Sequence, residues 1–93
     1  MNNSEARRVL IAELARYRQM THTDLQRLLH TQDNFETDAP SGTKYEVEIE
    51  AVWDNHPGGN LRVLAHIDDG ALRAFVPLTE DFIISPDGRF IGE

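Results

Sequence analysis

The sequence predicts an α+β fold: two N-terminal helices packed on one face of an antiparallel β-meander of three main strands plus a short C-terminal hairpin. Three observations predict it. Apolar residues recur at three- and four-residue spacing as far as Leu29. From Lys44 the apolar period switches to two. Asp69-Gly70 then places a tight reversal between two alternating runs. Helices followed by strands segregate the helices to one side of the sheet.

The first helix spans 4–19. Ser4 is a good N-cap, with Glu5 at the positive end of the helix dipole. Ala6, Val9, Leu10, Leu14 and Tyr17 share one face, and Arg7, Arg8, Arg16 and Arg18 lie mostly off it. Glu13 projects into the apolar stripe. It either bends out to water or pairs with Arg16, or it is a partly buried acid of raised pKa. A shorter helix spans 24–31, carrying Leu25, Leu28 and Leu29 inward. Thr21 or Thr23 caps it, and Thr23 with Gln26 has the form of a capping box. Residues 32–43 are rich in turn formers and read as a loop, with Phe35 as its one anchor.

The clearest strand starts at Lys44. Tyr45, Val47, Ile49, Ala51 and Trp53 face one way, and Glu46, Glu48, Glu50, Val52 and Asp54 the other. A loop over 55–60 leads to the strand 61–68. A two-residue type I′ turn at Asp69-Gly70 then sets Ile67 opposite Leu72, Ala65 opposite Ala74, Val63 opposite Val76 and Leu61 opposite Leu78. After a turn at 79–81, Phe82, Ile83 and Ile84 form a short strand. Ser85-Pro86-Asp87-Gly88 reverses the chain so that Phe90 and Ile91 return beside it.

Ninety-three residues suit one domain: helices over 1–31, the loop 32–43 and the meander 44–93. Cysteine is absent, which excludes a disulfide framework, a thiol nucleophile and any Cys-based zinc site. The formal charge of −7 is unevenly spread. Residues 1–30 hold five Arg against three acids, and residues 31–93 hold four basic residues against thirteen acids. An acidic C-terminal part disfavours nucleic acid as partner. The N-terminus shows neither a targeting segment nor an apolar run of membrane-spanning length, so a cytoplasmic location is expected.

The expected register puts His66 across from Arg73, Leu64 across from Phe75 and Arg62 across from Pro77 on the face turned away from the helices. Leu64, Phe75 and Val52 make an apolar island there, ringed by Glu48, Glu50, Arg62, His66 and Arg73. An apolar centre with a polar rim has the anatomy of a protein interface. Three fates are open to it: cover by the second helix or the 32–43 loop, contact with a protein partner or a second copy, or plain exposure.

Signs of chemistry are few. The four histidines (His22, His30, His56 and His66) lack metal-ligand spacing, so no metal or other cofactor is expected. His22 and His30 read as capping or surface residues. Gly58-Gly59 joins two strands, has no phosphate-loop lysine, and reads as a turn. Asp33–Asp38 lacks the glycine and glutamate of a calcium loop. His66 with Glu48 or Glu50 is the best acid–base pair, but it lies on a flat sheet, so no catalytic residue is assigned.

Two resemblances are visible. Leu14 to Leu29 is similar to the first half of a helix-turn-helix, with Gln26, Arg27 and His30 on the short second helix. The run Asp81-Phe82-Ile83-Ile84-Ser85-Pro86-Asp87-Gly88-Arg89-Phe90-Ile91-Gly92-Glu93 resembles the endings of small uncharacterised bacterial α+β proteins, which implies a fold class and a bacterial source but no activity. The expected function is a non-catalytic protein–protein interaction module with an acidic-rimmed apolar sheet face, immunity-like among the roles it suits. The alternatives are a DNA-associated regulator and a small enzyme using His66.

Overall fold

A computed structural model describes residues 1–70 and 77–93. Its elements are α1 (Asn3–Tyr17), α2 (His22–Leu25) continued by a 3₁₀ turn (Gln26–Leu29), β1 (Asp33–Asp38), β2 (Lys44–Trp53), β3 (Leu61–Asp68) and β4 (Leu78–Ile84). The strands form one antiparallel sheet in the order β1-β2-β3-β4. The α+β class therefore stands, with one long helix, one short helix and four strands among the described residues.

Asn2 caps α1, its Oδ1 accepting from the Glu5 N–H at 3.1 Å. The helix thus starts before Ser4, which lies in its first turn. Thr21 caps α2 by accepting from the Asp24 N–H at 3.0 Å, and Thr23 is already helical, so no capping box forms. The second helix starts and ends earlier than the spacing suggests and tightens into 3₁₀ geometry after one turn. Glu13 settles as the boundary acid, pairing with Arg16 at 2.7 Å.

All this helical structure packs on one side of the sheet. Ala6, Leu10, Leu14, Tyr17, Leu25 and Leu28 are buried against Tyr45, Val47, Ile49 and Ala51 of β2, Leu61, Val63, Ala65 and Ile67 of β3, and Phe82 and Ile84 of β4. Within this core Glu5 is a buried carboxylate. It accepts from Ser41 Oγ at 2.8 Å and Tyr45 Oη at 2.9 Å, tying the β1–β2 turn to the start of α1. Those two bonds, Ser41 first, hold its pKa below the usual value.

The 32–43 loop is corrected. Residues 33–38 pair with β2, Phe35 opposite Val47 and Glu36 opposite Glu46. A polar edge strand with a single large apolar residue carries almost no hydrophobic alternation, so its turn formers dominate the reading.

The β3 hairpin is corrected as well. β3 pairs with 78–84: Leu61 opposite Ile84, Val63 opposite Phe82, and Ile67 opposite Leu78. The expected partners Leu72, Ala74 and Val76 lie outside the described residues. A type I′ turn needs positive φ at both central positions, and only Gly70 has it (φ 75°). Residues 79–81 belong to β4 rather than to a turn. The C-terminal reversal forms, but the returning Phe90 and Ile91 make one isolated bridge and one backbone hydrogen bond instead of a last short strand. Gly88 takes φ 89°, its N–H reaches the Ser85 carbonyl at 2.9 Å, and Phe90 bridges Ile84. Arg18 fastens the returning tail by lying over the Phe82 and Phe90 rings and pairing with Glu93 at 2.8 Å.

Candidate functional site

The face of the sheet turned away from the helices follows from the pleat and the register. Five cross-strand rows lie on it, the last of them the Asp38–Lys44 pair, and the other four follow from one end to the other. Val52, Arg62 and Ile83 form the first. Glu50, Leu64 and Asp81 form the second. Asn34, Glu48, His66 and Thr79 form the third. Glu36, Glu46 and Asp68 form the fourth.

Neither expected cover is there. The second helix packs on the opposite face, and residues 33–38 extend the sheet instead of folding over it. Val52 is 44% exposed, and Leu64 and Ile83 are half-buried among the side chains around them. Ile83 joins the island at the place where the expected register put Pro77, because Arg62 faces Ile83. Leu64 faces Asp81, and His66 faces Thr79. Arg73 and Phe75, named as their partners, lie outside the described residues.

The two ends of this face differ in charge. At the apolar end Arg62 bridges Asp81 and, at 3.0 Å, Asp54. Both carboxylates, Asp81 first, hold the guanidinium pKa above its usual value. In the middle, His66 Nε2 lies 3.8 Å from Glu50, too far for a hydrogen bond, while Nδ1 is 3.1 Å from Thr79 Oγ1. Glu48 stands exposed between Asn34 and His66. At the far end Glu46 is directly opposite Glu36 on one side and Asp68 on the other. Among the described residues, Glu36, Glu46 and Glu48 form no ion pair, and Lys44 nearby is engaged by Asp38 at 3.0 Å. Like charges directly opposite one another destabilise a sheet.

Other candidates fall into structural places. His22 is buried, not on the surface. Its Nε2–H donates to the Gly59 carbonyl at 2.8 Å, which leaves Nδ1 to accept from Gln26 Nε2 at 3.2 Å. Its ring also packs against Trp53 at 5.9 Å, so it fastens the β2–β3 loop to α2. Asp33 accepts two bonds from Arg27, at 2.8 and 2.9 Å, and one from Tyr17 Oη at 2.6 Å. Arg27, followed by Tyr17, holds the Asp33 pKa down. Burial, followed by Asp33, pushes the Tyr17 phenol up. Among the described residues, no three His, Asp or Glu side chains are grouped to hold a metal ion, and no helix is long and apolar enough to cross a membrane.

No family model, curated protein or solved structure matches the chain.

Proposed function

We propose that this chain is a non-catalytic protein-interaction module that docks a basic protein on the outer face of its sheet. One observation carries the reading: on a sheet face that no described residue folds over, an apolar end joins an acidic end whose carboxylates oppose one another, with no ion-pairing cation among the described residues. Apolar surface at one end supplies area to bury. The acids at the other attract and orient a positively charged partner, and they speed its association. An immunity-like role, neutralising a basic protein, fits this profile.

Charge also argues against a second copy as the occupant. An isologous dimer brings the same patch of both copies together. The described residues of this face include Glu36, Asp38, Glu46, Glu48, Glu50, Asp68 and Asp81 against Lys44 and Arg62. Both cations are already engaged. The DNA-associated reading loses support because Arg27 is taken up by Asp33 and the second helix is only one α-turn long. The enzyme reading gains none from the 3.8 Å spacing of His66 and Glu50 on an open surface.

A photo-crosslinking residue at Leu64, with one at Ile11 on exposed α1 as control, tests the proposal in the source cells. The reading expects one basic protein captured from position 64 and not from 11. Its purified form should associate more slowly with Glu46→Lys/Glu48→Lys, by about tenfold at low salt. Equal capture from both positions, or an unchanged association rate, overturns it. Capture of the chain by itself assigns the face to a homodimer instead.

A further inference from the structure

The outer edge of β1 is an open edge of the sheet. Asp33–Asp38 pairs with β2 on one side, and no described residue pairs with the other. At the far edge, Phe90 bridges Ile84 and the Ile91 N–H donates to the Ile83 carbonyl at 2.9 Å, so one end of β4 is covered by the chain itself. An open edge leaves a row of backbone N–H and C=O groups that can template a further strand.

Two hollows flank this edge on opposite faces of the sheet. The outer one is walled by Asn34, Glu36, Glu46 and Glu48. The inner one lies between α1 and the strand, where Arg16 and Tyr17 meet Asp33 and Phe35. A strand added to β1 sends successive side chains to alternate faces. One set would enter the carboxylate-walled hollow, and the other would lie against Phe35, beside the Arg16 side chain that reaches over its ring. Backbone pairing supplies affinity in this mode of recognition, and alternate pockets supply specificity.

Charge chooses the occupant. Pairing β1 with the β1 of a second copy lays Glu36 and Asp38 beside the same acids, with Glu46 close behind. We infer that the β1 edge accepts, as a fifth strand, an extended segment of another protein that alternates Lys or Arg with apolar residues. The inference rests on the proposed acidic docking face and adds the position and conformation of the segment that binds there.

A blocked six-residue peptide alternating Lys and Val is the probe, read by NMR-detected amide exchange on the full chain at low salt. Controls are the same peptide N-methylated throughout and one with Glu in place of Lys. The expected result is exchange slowed by about tenfold or more at β1 amides that do not bond β2. That protection should be lost with either control. Glu36→Gln/Glu46→Gln, which removes a like-charge pair and so does not endanger folding, should weaken binding several-fold. A Lys–Val peptide that protects no β1 amide, or binds as well when N-methylated, overturns the inference. If that peptide still shifts the signals of Glu48 and Leu64, the face holds a basic ligand without using the edge, and the proposed function stands alone. If it shifts neither, the edge inference fails and the crosslinking from position 64 decides the face separately.

Discussion

Val63 and Leu64 are neighbours on β3, yet their surroundings are opposite. Val63 is fully buried, with Phe82 across from it and Ala51 on the other side. Leu64 is half-buried between Glu50 and Asp81. The same contrast runs along the whole sheet. On the inner face, helices meet strands, and the buried acid Glu5 has its donors in Ser41 and Tyr45. On the outer face the charges are matched around Arg62 and mismatched around Glu46. Folding alone accounts for the inner face and for the Arg62 end. It does not account for three carboxylates in a cross-strand row, the row to which the proposed function assigns a partner.

The sharpest break of this contrast is Val63→Ala. It opens a cavity at the centre of the core and should lower unfolding free energy by about 2–3 kcal/mol in urea. An unchanged midpoint would mean that the two faces are wrongly assigned.

Acid separates the faces next. Glu5 and Asp33, both on the helix side, have pKa values held below their usual 4.5 and 3.8. A depressed carboxyl pKa adds stability that is present above the unfolded value and lost as pH falls through the folded one. The melting midpoint should therefore begin to drop as pH falls below about 4.5. Glu5→Gln should melt lower at pH 7 and show a shallower acid decline than the parent. Parallel curves would remove Glu5 from the account. In the alkaline direction burial, followed by Glu5, raises the Tyr45 phenol, so its contribution holds below pH 10.0 and fades above it.

A smaller effect is expected at the neighbour of Val63. Leu64→Ala should cost under about 1 kcal/mol, because Leu64 is only partly buried and lies between the charged side chains of Glu50 and Asp81. A loss matching that of Val63→Ala would show Leu64 to be core, and the outer island would disappear.

Much of this contrast was legible in the sequence, for specific reasons. β2 is legible to within one residue, Asp54, because buried positions from Tyr45 to Ala51 alternate with Glu46, Glu48 and Glu50 and leave no competing period. β1 was hidden because its inward positions are Asp33, Phe35 and Thr37, and hydrophobic alternation cannot register a strand held by Tyr17 and Arg27. The β3 partner was misplaced because Leu72, Ala74, Val76 and Leu78 have the same parity as Leu78, Phe82 and Ile84. A shift by an even number of residues keeps every side chain on its face. The outward direction of Glu48, Glu50, Arg62, Leu64 and His66 therefore survived the wrong register. Their cross-strand neighbours, Asp81 and Ile83 above all, did not. The buried role of His22 depends on a loop carbonyl 37 residues away in the chain, which no local pattern records.

The most direct measurement is the unfolding free energy of Glu46→Lys. A lysine between Glu36 and Asp68 turns two repulsive cross-strand pairs into attractive ones. If the acidic row serves a partner at the expense of the fold, the variant is more stable than the parent by about 0.5–1 kcal/mol in urea at low salt. A variant less stable than the parent would mean that the row supports the fold itself, which contradicts the account.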